Sequence, residues 1–292
     1  MFLRSRSTVH LFVTLACLLV ALYAVFLYAP QEATMGEVQR IFYIHVSSAW
    51  TAFLAYFLVF VGSVGYLWRR SPGALAWMIV ALWMIFLYAP QEATMGEVQR
   101  IFYIHVSSAW TAFLAYFLVF VGSVGYLWRR SPGADDLAQA AGEVGFVFCS
   151  AVLVTGPLWA KPVWGIWWTW DPRLTLTFVL WLLFVSYLML RGYVSSPGRA
   201  ATLAAVVGII GFADVPIDYM AIRWWRGQHP QPVIAGGEGS GLEPRMWVAL
   251  LVTWGAFLCL FSYLLQQRLR LAEARRELSA LRRALAIGSP ED

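Results

Sequence analysis

Apolar stretches of about twenty residues, the length needed to cross a ~30 Å hydrocarbon layer, recur along this chain and limit it to one kind of fold. Eight are found, near 9–29, 43–68, 75–89, 103–128, 144–160, 174–190, 200–216 and 246–265. Inside lipid every backbone amide must bond within its own segment or in a closed barrel, so long apolar runs of this kind become helices. The expected fold is therefore an all-α polytopic membrane protein, a bundle of about eight transmembrane helices. Composition agrees: hydrophobic residues make up 60% of the 292 residues and charged residues 13%, about half the ~25% of an average soluble domain. A soluble enzyme, a disordered chain and a disulfide-stapled secreted domain are excluded together. The first stretch follows Arg4 and Arg6 but lacks a small-residue cleavage site before Pro30, so it reads as a retained span. Two stretches are weaker: 75–89 is short, and 200–216 ends in Asp214 and Pro216, with Asp218 just beyond.

Basic residues set the orientation. With both termini cytoplasmic, fourteen arginines fall inside: Arg4, Arg6, Arg69, Arg70, Arg129, Arg130, Arg191, Arg199 and six in the tail. Seven cations fall outside: Arg40, Arg100, Lys161, Arg173, Arg223, Arg226 and Arg245. That asymmetry obeys the positive-inside rule and accounts for the net charge of +5 without a nucleic-acid partner. The tryptophan-rich connections and His45, His105 and His229 then face outward, with His10 near the inner end of the first span. Residues 266–292 are expected as a basic cytoplasmic amphipathic tail, with Leu271, Leu278 and Leu285 seven apart, lying on the inner leaflet or against a partner helix.

Residues 26–74 recur unchanged as 86–134, an offset of 60, and VALYAV at 20–25 matches VALWMI at 80–85. Structural repeats drift wherever packing permits. Identity that includes the loops indicates recent copying, or an accident of sequence assembly, and no structural purpose is placed on it. Removing one unit leaves six spans and does not change the orientation of the downstream spans.

The most unusual segment runs from Lys161 to Arg173, with Trp164, Trp167, Trp168 and Trp170 inside seven residues. One reading is an interfacial aromatic belt. The other is a ligand platform: at spacings of three and four the indoles form one continuous face if the segment is helical. Such a face suits a large, flat, hydrophobic ligand, and Arg173 at its end suits carboxylates. His45 and His105 occupy identical IFYIHVSSAW contexts, and His229 lies in RWWRGQHPQP within a second external loop, expected over 217–244. Each histidine reads either as a hydrogen-bonded structural residue or as an axial ligand of haem iron. Cys17, Cys149 and Cys259 stand alone, so neither a CxxC metal knuckle nor a CxxCH haem attachment is present.

The segment WGIWWTWD at 164–171, preceded by a histidine in YIHV and followed by one after a WW pair, resembles the haem exporter protein C family of cytochrome c maturation, whose signature is tryptophan-rich. The resemblance runs from about Phe86 to Leu265. It implies a six-span inner-membrane protein that holds non-covalent haem b at the periplasmic face and passes it to a periplasmic haem chaperone. It also implies work alongside the ATP-binding and membrane subunits of an ABC transporter. Carried over, the axial ligands are His105 and His229 and the platform is Trp164, Trp167, Trp168, Trp170 and Asp171. Arg173, Arg223 and Arg226 are candidates for the haem propionates. The chain departs from the family in its duplicated two-span unit, which supplies a spare His45. No enzyme is expected: there is no P-loop, no Ser/His/Asp ordering and no pair of carboxylates in one polar pocket. The alternatives are a haem-ligating cytochrome c synthetase of the same superfamily, or a permease subunit for haem export. The spans show almost none of the mid-span polar residues that a permeation pathway requires.

Overall fold

A computed structural model describes residues 2–30, 36–225, 227–230, 232, 234 and 241–287, the side chains of 2–11, 38, 286 and 287 excepted. The described residues are all-helical, without a β-strand. Six helices are long and apolar enough to cross a membrane: Arg40–Arg70, Glu97–Arg129, Pro132–Trp164, Pro172–Tyr193, Pro197–Trp224 and Pro244–Leu285. The other two expected segments are present as shorter apolar helices, Phe12–Tyr28 and Pro72–Tyr88. The chain is a multi-pass membrane protein.

It divides into two compact units, Met1–Arg70 and Ser71–Asp292. The first holds α1 (Phe2–Tyr23), extended by a π turn over Ala24–Tyr28, and α2 (Arg40–Arg70). Arg40 at the start of α2 donates to the Val25 carbonyl at 2.7 Å and pairs with Glu37, which ties the two helices at their shared end. None of the side chains of α2 is buried.

The second unit contains α3 (Pro72–Trp83, then a π turn over Met84–Tyr88), α4 (Arg100–Arg129), α5 (Pro132–Trp164), α6 (Pro172–Tyr193), α7 (Pro197–Phe212), α8 (Asp214–Trp224) and α9 (Pro244–Ile287). Five of these helices open with proline in the first turn, where its fixed φ and missing N–H cost nothing. The tightest pair is α4 with α5; α4 also meets α7 and α9, while α6 sits against α5, α7 and α8. Small residues allow this. A methyl added at Gly145 of α5 would come within 2.6 Å of the Ala115 methyl of α4 and 2.8 Å of the Phe184 ring of α6. Lipid chains provide no hydrophobic drive between helices, so close backbone approach and van der Waals contact hold such a bundle. Around the Gly and Ala stripe, Tyr116, Phe184, Tyr187 and Leu180 fill the centre and are almost wholly buried.

Three expectations need correction. The tryptophan segment is not a helix: Trp164 closes α5, Gly165 follows at φ 79°, and helix resumes only at Pro172. A left-handed residue after the last helical turn is where glycine is strongly favoured, so Gly165 ends the continuous aromatic face before it starts. The loop expected over 217–244 begins later, because α7 passes with a break at Ala213 into α8, which continues to Trp224. Finally, no boundary separates the last span from the basic tail. α9 is one helix of 44 residues, ~66 Å at ~1.5 Å per residue, about twice the hydrocarbon thickness. Its extension docks on α5 through the pairs Arg268–Glu143 and Arg276–Asp136.

Candidate functional site

At the tryptophan end of the second unit, α5 carries Thr155, Gly156 and Pro157 in succession. Proline lacks the amide that would bond one turn back, and Gly156 has no side chain to fill the space beside it. His105 of α4 enters that space: a methyl on Gly156 would lie 3.4 Å from its Cε1. The ring is buried, with 9% exposure, and stands 5.9 Å centre to centre from the Trp159 indole. Its Nδ1 is 2.9 Å from the Thr155 hydroxyl, and that hydroxyl donates its own hydrogen to the Ala151 carbonyl at 2.7 Å. With the Thr155 hydrogen committed, His105 Nδ1–H must be the donor, and the lone pair stays on Nε2.

His229 reaches the same place from the connection after α8. That connection is anchored by Tyr219, whose hydroxyl donates to the Ile234 carbonyl at 2.6 Å, and by Gly227, where an added methyl would come within 3.3 Å of Asp171. His229 Nδ1 lies 2.9 Å from the Pro230 carbonyl. A carbonyl only accepts, so here too Nδ1 donates and Nε2 keeps its lone pair. Loss of water around the ring, with the Arg173 charge nearby, pushes His229 down to about 4. It is neutral across the physiological range, the form that binds a metal.

Both imidazoles line a partly open pocket together with Trp159, Trp164, Trp168, Phe113 and Arg173. An adjoining cavity shares His105, Ala109, Trp159, Arg173 and His229 and continues toward Trp110 and Tyr219. Trp164 stands 6.4 Å from His229, ring to ring. The indole N–H groups of Trp159 and Trp168 are buried without a partner among the described residues. Buried donors are normally satisfied, so two such groups on one aromatic cavity mark a place built for a ligand with polar atoms as well as a flat apolar face.

The four tryptophans divide into two kinds. Trp164 and Trp168 line the cavity; Trp167 and Trp170 do not, and are 55% and 72% exposed. Trp168 and Trp170 meet edge to face and both contact Phe178 of α6. Asp171 caps α6: its carboxylate accepts from the Leu174 amide at 3.0 Å and from the Thr169 hydroxyl at 3.1 Å. It shapes the turn and does not line either cavity.

Arg173 lines both cavities. Its guanidinium donates to the Asp218 carbonyl at 2.6 Å, pairs with the Asp218 carboxylate at 3.5 Å, and lies between the rings of Phe113 and Tyr219. Arg223 is exposed on α8 away from both cavities, and Arg226 lies outside the described residues. His45, in the first unit, is exposed and has no hydrogen-bond partner among the described residues.

The sequence reading missed two features. Thr155 and Gly156 orient and admit His105, and the visible signal was a Gly-Pro pair inside an apolar span. The second is a correction. Asp214 and Asp218, one helical turn apart on α8, form a buried carboxylate pair beside Arg173, where no paired carboxylates and almost no polar span residues were expected.

Known proteins match most of this chain. The family model described as Heme exporter protein C matches residues 70–284. The Heme exporter protein C of Bradyrhizobium diazoefficiens is 35% identical over 193 residues, 66% of this chain and 73% of that protein. Its counterpart in Paracoccus denitrificans is 33% identical over 210 residues, 72% and 87% of the two chains. That of Rhodobacter capsulatus is 32% identical over 197 residues, 67% and 81%.

Proposed function

This chain belongs to the heme exporter protein C family, and from that membership we propose that it binds haem at the periplasmic face of the inner membrane and delivers it to a periplasmic haem chaperone for cytochrome c maturation. It works beside an ABC-type complex whose partner subunits hydrolyse ATP. Haem is its cargo, held without a covalent bond.

One observation carries this reading: two imidazoles from separate elements face a common aromatic cavity, each with Nδ1–H fixed by a hydrogen bond and Nε2 left with its lone pair. Pinning one ring nitrogen so that the other can ligate is the usual arrangement of a metal-binding histidine. Among the described residues no group of three or more His, Cys, Asp or Glu is placed to hold a metal ion. A bare transition metal generally needs three or four protein ligands. A porphyrin brings four nitrogens of its own and needs only axial partners, so a two-histidine set suits haem iron. His105 and His229 are the axial ligands, Trp164 and Trp168 pack on the macrocycle, and Arg173 meets a propionate. Trp167 and Trp170, at the exposed rim, are the surface offered to the chaperone. The positive-inside asymmetry puts both termini in the cytoplasm and this rim in the periplasm.

The decisive measurement is the absorption spectrum of the purified full chain after expression with ample haem. A bis-histidine haem spectrum is expected, and its absence would sink the proposal. Replacing Trp164 and Trp168 together with alanine is expected to lower haem content severalfold or more, since each buries a large aromatic surface. The Trp167→Ala, Trp170→Ala pair is expected to keep haem and lose its transfer.

A further inference from the structure

Behind the cavity wall the charges do not balance. Asp218 is fully buried and Asp214, one turn before it on α8, is 9% exposed. The one cation against the pair, Arg173, meets Asp218, and Asp214 has no ion-pair partner among the described residues. The Asp218 carboxylate pairs with Arg173 at 3.5 Å and lies 3.2 Å from the Thr177 hydroxyl, which also reaches the Arg173 carbonyl at 2.9 Å. Asp214 Oδ2 is buried without a partner among the described residues, as is the nearby Tyr116 hydroxyl, which packs over Gly211. The other titratable groups near the pair and Arg173 are Asp171 at the start of α6, the buried Cys149 thiol of α5, Tyr219 beside Arg173, and the imidazoles of His105 and His229, whose lone pairs are kept for the ligand. None of them adds positive charge.

Arg173 also faces both cavities. A carboxylate on a bound ligand that meets this guanidinium adds a second anion to the Arg173–Asp218 pair, with the uncompensated Asp214 one turn away. Like charges crowded in a poorly solvated site cannot all stay ionised, so one takes a proton. We propose that Asp218 is a positioning residue that couples recognition of a carboxylate-bearing ligand at Arg173 to uptake of a proton from solvent by the Asp214–Asp218 pair. This rests on the haem-binding reading above, the ligand carboxylate being a propionate. The proton adds to a carboxylate oxygen of the pair, no other bond changes, and its release accompanies departure of the ligand. Proton uptake on binding means that affinity rises as pH falls. The coupling thus makes loading and unloading respond to the proton activity on the side where the ligand leaves.

The test compares haem with its dimethyl ester, which has the same ring and iron but no carboxylates, on the full chain in lipid nanodiscs. Protons taken up are followed with an indicator dye in weak buffer, and the carboxylic C=O stretch by infrared difference spectroscopy. Haem is expected to take up about one proton more than the ester, by the linkage between ligand and proton, with a new protonated-carboxyl band. Changes at the iron ligands are common to both compounds and cancel. In Asp218→Asn the excess uptake and the band are expected to vanish while haem still binds; Asp214→Asn, which leaves the Arg173 pairing intact, is expected to reduce or shift both. Equal proton uptake for haem and ester in the wild-type chain overturns the coupling and leaves haem binding standing. An excess that persists unchanged in both variants overturns the assignment to this pair. Failure of haem itself to bind overturns the haem reading, and the coupling with it.

Discussion

Residues 26–74 and 86–134 are the same peptide in two places, and the two copies agree wherever structure is local. Each is entered by a π turn, Ala24–Tyr28 and Met84–Tyr88. Each has a short 3-10 turn, Glu37–Gln39 and Glu97–Gln99. Each uses one arginine to hold the end of the preceding helix, Arg40 on the Val25 carbonyl and Arg100 on the Ile85 carbonyl. They part company at long range. α4 buries twelve residues, His105 among them, and α2 buries none. His45 and His105 have the same neighbours in sequence and the same imidazole chemistry. Only His105 meets a hydroxyl that fixes its tautomer and a glycine that admits its ring, both supplied by α5. A histidine becomes a competent ligand through residues distant in sequence.

The contrast can be broken most directly at the histidines. His105→Ala is expected to cut haem affinity by about 100-fold or more, beyond the ~10–100-fold cost of losing an orienting partner, while His45→Ala leaves it unchanged. Titration of each purified variant with haem reads this out; equal losses would mean the two copies are not distinguished as described. Thr155→Val removes the α5 acceptor that only the second copy's histidine meets, and about a tenfold weaker affinity is expected, with the axial-ligand spectrum heterogeneous. Next comes packing. A methyl at Gly122 would sit 2.7 Å from the Ala134 carbonyl, whereas Gly62 has nothing within 4 Å. Gly122→Ala should therefore destabilise the bundle by about 1–3 kcal/mol through overpacking. Gly62→Ala should be neutral, or favourable by up to ~1 kcal/mol of helix propensity; thermal unfolding of the two variants compares them. The smallest effect is expected from deleting residues 2–70. The remaining unit keeps α3 through α9 and their shared core, and the family match starts at residue 70. Haem content per molecule should stay at the full-length level, and a clear loss would give the first copy a role in the site.

How much of the site could be read in advance depended on whether each feature was local. The tryptophan cluster and the histidine contexts were visible as strings, and the family resemblance tied them together. The division of the cluster was not visible. Spacings of three and four implied one helical face, but Gly165 in the left-handed region turns the chain, so Trp168 points inward while Trp167 stays at the rim. The change from apolar to basic residues near Gln266 suggested a boundary, yet Gln, Arg, Leu, Ala and Glu are all good helix formers, and α9 runs through. Asp214 and Asp218 read as the end of a span because a lone carboxylate in lipid is costly. The counter-ion of Asp218, Arg173, lies 45 residues earlier in the chain, too far for any local pattern to reveal.

The sequence by itself determined that this chain is helical and crosses a membrane, because apolar length and backbone hydrogen-bonding permit nothing else in lipid. It also determined the turns and caps that both copies reproduce, since those depend on residues a few positions apart. Tertiary structure alone decided which of two identical histidines is oriented for ligation, which tryptophans face the cavity, and that a buried aspartate of α8 pairs with an arginine of α6. Each of those outcomes depends on contacts between helices far apart in sequence, and identical peptides with different neighbours settle into different environments.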